Sequence, residues 1–203
     1  MRKTTASLGA LLLAGLLALT GCATGDDAVV LGPETFEFVS PDGQLEIHYD
    51  PPSERQPVAT LEGPDLLDPD RTLNVQEDFA GQVVVLNLWG QWCGPCRAEV
   101  DDLQRLQEEF EPQGATVFGI NLRDPNRQKP VDFVEDNNVT FPSIWDPSNA
   151  AVAALRGFPT SVVPATIILD KQHRVASVYL AEITDDQLSG KISEILAEEV
   201  EPV

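Results

Sequence analysis

Positive charge is scarce in this chain. Thirteen Lys and Arg stand against 33 Asp and Glu, a formal net charge of −20 over 203 residues. The first 21 residues hold Arg2 and Lys3 and no acid, so from Cys22 onward the balance is 11 − 33 = −22. A field of that sign repels phosphate backbones and anionic head groups, and no basic stripe offsets it, so nucleic-acid binding is excluded. Metal ligands are scarce too: beyond carboxylates there are three cysteines, His48 and His173. A zinc site wants about four ligands, and with no second cysteine pair no metal centre is expected. Long apolar runs are missing as well. The longest early one, Leu8 to Leu19, would rise only about 18 Å as a helix against a hydrocarbon core of roughly 30 Å, which argues against a membrane span. No internal repeat or low-complexity segment occurs. With 42% hydrophobic and 23% charged residues, what remains fits one ordinary α/β-sized domain with accessories.

That short apolar run has a different use. Arg2-Lys3, the apolar stretch and then Leu19-Thr20-Gly21-Cys22 are the parts of an export signal. The last four residues resemble a bacterial lipobox, which implies cleavage before Cys22 and lipid attachment on its sulfur. Residues 1–21 are then a lipoprotein signal and 22–33 a tether. Two or three acyl chains give stable anchoring to the extracytoplasmic face of the cell membrane. Export also places the remaining cysteines, Cys93 and Cys96, where exposed thiols tend to become disulfides.

Residues 34–57 read as a β-hairpin extension. Phe36–Val39 and Leu45–Tyr49 alternate apolar with polar, and Ser40-Pro41-Asp42-Gly43 between them has turn chemistry. Adjacent prolines at 51 and 52 make a rigid connection to the main domain, 58–203. Short strands are expected near 58–62 and 71–75. Val83–Trp89 is a continuous apolar run suited to a strand buried on both faces. Val100, Leu103, Leu106 and Phe110 then recur at helix spacing, and Ala115–Asn121 is a second strand, so a strand–helix–strand unit with parallel pairing is predicted. Helices follow at 130–138 and 148–156, with a short strand at Phe141–Trp145 between them. Pro164–Asp170 and Arg174–Leu180 form an antiparallel pair. A last helix begins at Thr184 with Gln187 in capping-box position.

The chemistry sits in Trp92-Cys93-Gly94-Pro95-Cys96. One thiolate must attack a substrate disulfide and a second must reach back to resolve the mixed disulfide. A helix starting at Cys93 supplies that geometry. Cys93 is at the positive end, exposed and with depressed pKa, while Cys96 is one turn in and more buried. Pro95 suits a first turn, where its missing N–H costs nothing. A purely structural disulfide closing so short a loop would contribute little.

Between a buried strand and a helix, this motif resembles the thioredoxin-fold oxidoreductases from about residue 58 to the end. The stretch 78–89, with Asn87 where cytoplasmic thioredoxins carry a buried aspartate, and Glu99 three residues past Cys96 resemble the exported ResA/TlpA-type branch. The resemblance implies an α/β thioredoxin-like fold, a mixed central sheet flanked by helices, here with the N-terminal hairpin. It implies Glu99 as a proton carrier beside the thiols, physically sensible for a partly buried carboxylate. The branch's helix-kinking proline is replaced by Asp101, which puts the kink in question. The family's cis-proline matches Pro164 rather than Pro159. A substrate strand would pair with the backbone of Val163, in a groove formed with Trp92, Gly94 and Pro95. Trp89 and Trp145 are assigned to the core.

By resemblance the function is reduction of protein disulfides, such as the Cys-X-X-Cys-His site of apocytochrome c, by a monomer without cofactor. A membrane donor relaying electrons from thioredoxin would regenerate the dithiol. The alternative is a disulfide oxidase or isomerase, against which the Gly-Pro dipeptide shared with reducing thioredoxin argues. A copper-handling module would want a Cys-X-X-X-Cys spacing and a convergent histidine, and a peroxidase a lone reactive cysteine; neither pattern is present.

Overall fold

The computed structural model describes residues 35–39 and 43–199; the expected signal, Cys22 and the tether lie outside the described residues. In chain order come β1 (Glu46–His48), β2 (Glu62–Pro64), β3 (Thr72–Asn74), α1 (Val75–Asp78) and β4 (Val83–Trp89). Then follow α2 (Gly94–Ala98), α3 (Val100–Phe110), β5 (Ala115–Leu122), α4 (Gln128–Asp136) and β6 (Ser143–Asp146). The chain closes with β7 (Ala165–Leu169), β8 (Val175–Tyr179) and α5 (Asp185–Ala197). None of these helices is long and apolar enough to cross a membrane.

Every residue of β4 and β5 is buried, as their unbroken apolar runs predict for strands covered on both faces. They pair in parallel, with Asn87 opposite Gly119 and Trp89 opposite Asn121, and α2 and α3 make the crossover. β7 adds antiparallel to β4 and β8 to β7, completing a six-stranded mixed sheet of order β1-β8-β7-β4-β5-β6. Alternation then sorts the side chains. Val84, Leu86 and Leu88 face a core closed by Leu61, Leu73, Phe36, Phe38 and Ala151–Phe158. Val83 and Val85 face the opposite core with Leu103, Leu106, Leu188 and Ile192 of α3 and α5. Asn87 and Trp89 continue this second face, which places them beneath the helix that follows the two cysteines.

The N-terminal extension is β-structured, but its two apolar runs do not pair with one another as a hairpin. β1 instead pairs antiparallel with β8, Ile47 opposite Val178, and so covers the sheet edge. Phe38 N–H donates to Arg156 O at 2.7 Å and Phe36 N–H to Pro57 O at 2.8 Å. The pairing follows the aromatic side chains: Phe36 and Phe38 are buried in the first core, Phe38 stacking 5.0 Å from Phe158. A two-stranded hairpin standing alone would leave those rings in water.

Three local expectations also change. The helix expected at 148–156 is a single 3₁₀ turn, Ala151–Ala154, because both Asp146 carboxylate oxygens take the amides of Ala150, Ala151 and Val152. At the start of α5, Thr184 makes no side-chain cap, and Asp102 Oδ1 accepts from Asp185 N–H at 3.2 Å in its place. The helix after the dithiol is broken at Glu99 although no proline follows, so α2 and α3 are separate segments.

Candidate active site

β4 delivers the chain to the dithiol. Past Trp89, Gly90 lies so near the Trp92 ring that a Cβ there would sit 2.4 Å from Trp92 Nε1, so the turn requires glycine. Cys93 N–H donates to Gly90 O at 3.0 Å and Cys93 becomes the N-cap of α2, its Sγ accepting from Cys96 N–H at 3.2 Å. Cys93 and Cys96 form a disulfide with Cα atoms 5.3 Å apart. Both are buried, Cys93 at 4% and Cys96 at 3% exposure, which corrects the expectation of an exposed Cys93. The cover is the loop before β7: Val163 O lies 3.7 Å from Cys93 Sγ, and the Val163–Pro164 peptide is cis. Gly94, Pro95 and Trp92 remain exposed around the buried sulfurs, Trp92 at 44%. Trp92, Gly94 and Pro95, with the half-buried Val163, thus form the surface over the sulfurs.

Glu99 lies behind the pair and is fully buried. Asn87 Nδ2 donates to its Oε1 at 2.9 Å, and Ile183 N–H donates to its Oε2 at 3.0 Å. Asn87 also donates to Thr166 Oγ1 at 3.1 Å, so three adjacent elements hold the carboxyl in place. Asn87 and Cys96 line the same small cavity, so the acid's partner and the inner cysteine share one pocket. No cation bridges Glu99 among the described residues. Burial pushes its pKa up to about 7; the Asn87 and Ile183 hydrogen bonds act against the shift, and the Glu182 and Asp102 charges add to it. A carboxyl that titrates near neutrality beside a thiol pair can accept and return a proton during exchange.

On the other side, the residues following β5 buttress the turn. Asp124 Oδ2 accepts from Gln91 N–H at 2.8 Å and from Asn121 Nδ2 at 2.9 Å. Trp92 Nε1 donates to Leu122 O at 3.0 Å, and the Arg123 guanidinium lies 4.4 Å from the Trp92 ring centroid. Trp89 is core as expected, whereas Trp145 is half-buried and donates through Nε1 to Asp124 O. Sequence reasoning passed over Arg123 and Asp124. The available signal was positional, since both directly follow the strand that pairs with β4, at the carboxyl ends where α/β sheets place their sites. The histidines take no part: His48 binds Ser177 and Glu46, and His173 is buried with Nε2 3.1 Å from Phe79 O.

Known proteins bear on this arrangement. A model described as the AhpC/TSA family matches residues 56–178. The thiol:disulfide interchange protein DsbE of Pseudomonas aeruginosa is 30% identical over 147 residues, covering 70% of this chain and 77% of that protein. Thiol-disulfide oxidoreductase ResA of Geobacillus thermodenitrificans is 28% identical over 58% of this chain, and the match spans 66% of its length. Among solved structures, a secreted thiol-disulfide isomerase from Corynebacterium glutamicum superposes with a TM-score of 0.78 at 47% identity, covering 81% of this chain and 99% of that one. A DsbF homologue from Corynebacterium diphtheriae gives 0.74 at 47% identity, over 79% and 99%. With a disulfide-bonded Cys-Gly-Pro-Cys at the end of a central strand of the same sheet, the chain belongs to the AhpC/TSA family, among its thioredoxin-fold thiol–disulfide oxidoreductases.

Proposed function

We propose that the protein works as a reductant of protein disulfides outside the cytoplasm. The observation that carries this reading is the environment of the sulfurs. In the dithiol form, Cys93 Sγ would receive one backbone N–H, from Cys96, and would face the carbonyl of Val163, with an unpaired carboxyl buried behind. Such surroundings stabilise a thiolate weakly, and a dithiol whose reduced state is weakly stabilised gives its electrons away. The Cys93 thiolate attacks the substrate disulfide, forming a mixed disulfide and releasing one substrate thiolate. Glu99, in its ionised form, takes the proton from the Cys96 thiol. The Cys96 thiolate then attacks Cys93 Sγ, closing the intramolecular disulfide and releasing the second substrate thiolate. Two electrons pass to the substrate.

The resemblance to ResA and DsbE supports the Cys-X-X-Cys-His site of apocytochrome c as substrate and a membrane donor, fed by thioredoxin, as the source of electrons. A lipid on Cys22 would hold the domain, as a monomer, at the extracytoplasmic face of the cell membrane. A second reading, disulfide formation or isomerisation in exported proteins, is favoured by the name of the 47% identical Corynebacterium glutamicum structure. Trapping tests the substrate directly. Cys96→Ser in the full chain should accumulate mixed disulfides through Cys93 with apocytochrome c, identified by mass spectrometry. Capture of other exported proteins alone would turn the account to the second reading.

A further inference from the structure

We propose that Arg97 and Arg123 form a carboxylate-binding rim beside the dithiol, selecting protein disulfides whose cysteines are flanked by acidic residues. The inference rests on the oxidoreductase reading above and starts from how this acidic chain uses its few cations. Arg55, Arg71, Arg105, Arg156, Arg174 and Lys191 each have a carboxylate within 4 Å. Among the described residues, Arg97, Arg123, Arg127, Lys129 and Lys171 do not. Arg127 is committed to the carbonyls of Asp65 and Leu66, and Lys171 to those of Leu196 and Glu198. Arg97 and Arg123 are exposed, come from different elements, and converge on the turn that precedes Cys93. Arg97 gives only Nη1 to a carbonyl, Gln91 O at 3.0 Å, where Arg127 gives both Nε and Nη2, and Arg123 lies 4.4 Å from the Trp92 centroid.

In a protein with this excess of acid, two cations on one turn, neither with a carboxylate within 4 Å, are unusual company for a reactive pair. Asp124, the acid in the same loop, is turned inward to Gln91 N–H and Asn121 and bridges neither arginine. Glu182 belongs to the loop beside Glu99 and bridges neither. Arg123 also holds a left-handed backbone, φ +56°, which non-glycine residues adopt only at a cost. The Trp92 ring holds the guanidinium by a cation–π contact, and its N–H donors can take a carboxylate in a two-pronged fork. A substrate chain lying along Val163 with its cysteine at Cys93 passes the adjoining Trp92, which brings neighbouring acidic side chains to the two arginines.

The test uses reduced full-length protein and three peptides, each with one internal disulfide flanked on both sides by Glu, by Gln or by Lys. Second-order rate constants are compared at low and at high salt, with 2-hydroxyethyl disulfide as an uncharged reference. The Glu peptide should react about tenfold faster than the Gln peptide at low salt, against the sign of the whole-protein charge, and the advantage should shrink at high salt. Arg97→Gln with Arg123→Gln should bring that ratio to about one. Lys171→Gln removes one positive charge at the far end of β7, as each single arginine variant does beside the dithiol, and should retain the ratio. A Glu peptide no faster than Gln, a double variant that keeps the preference, or a Lys171→Gln that loses it overturns the rim. Turnover of 2-hydroxyethyl disulfide without peptide preference overturns the rim alone, and no turnover of it overturns the oxidoreductase reading together with the rim.

Discussion

The two ends of the central sheet each bury an ionisable side chain, and they treat it in opposite ways. Beyond the end of β7 far from Pro164, Arg55 is 4% exposed and fully answered: Glu198 takes it in a two-oxygen grip at 2.6 and 2.7 Å, Asp50 accepts at 2.8 Å, and its Nε reaches Tyr49 O. Burial opposes that charge, but the bonds to Glu198 and Asp50 outweigh it, and the arginine pKa moves up. At the dithiol end, Glu99 has two neutral donors and no cation, and burial wins. The first charge is locked; the second titrates in the physiological range. The same cost of desolvation thus accompanies a clamp where it is matched and a raised carboxyl pKa where it is left partly unmatched.

The largest effect expected from breaking this contrast lies at the clamp. Arg55→Met leaves Glu198 without its partner and unties the N-terminal extension from the end of α5. A stability loss of about 3 kcal/mol is expected in urea unfolding. The reduction potential of the dithiol should stay in place; a shift in it would mean that the two ends are coupled after all.

At Glu99 the effect is no larger and depends on pH. Its folded pKa, about 7, is above the ordinary carboxyl value of 4.5. Between those values the folded state holds a proton that the unfolded chain has released, so stability falls as pH rises from about 4.5 to about 7 and is level above that. The size is roughly 3 kcal/mol across the window at most. Glu99→Gln should remove that slope in urea titrations and flatten the step near pH 7 in the rate of thiol exchange. An unchanged slope would assign the proton to another group.

This contrast also marks how far the sequence could be read. The unbroken apolar runs at 83–89 and 115–121 and the Cys-Gly-Pro-Cys between strand and helix were enough for the parallel unit and the dithiol, because strand burial and helix capping are local in origin. The family resemblance puts the cis-proline at Pro164 rather than Pro159, just ahead of an apolar strand, and the Val163–Pro164 peptide is cis. Pairing of the extension was not legible. Alternation marks Phe36 and Phe38 as strand residues whether the partner is Leu45–Tyr49 or the segment near Arg156. Burial of Cys93 and of Glu99 involves contacts with Val163 and Ile183, far along the chain. Arg123 and Asp124 gained meaning only once β5 lay beside β4.

The most direct measurement is the reduction potential of the Cys93–Cys96 couple in the full chain at pH 7, by thiol trapping in graded redox buffers. A weakly stabilised thiolate with an uncompensated carboxyl behind it predicts a value near or below about −230 mV. A value of about −120 to −150 mV would contradict the account and make the protein a disulfide-forming enzyme.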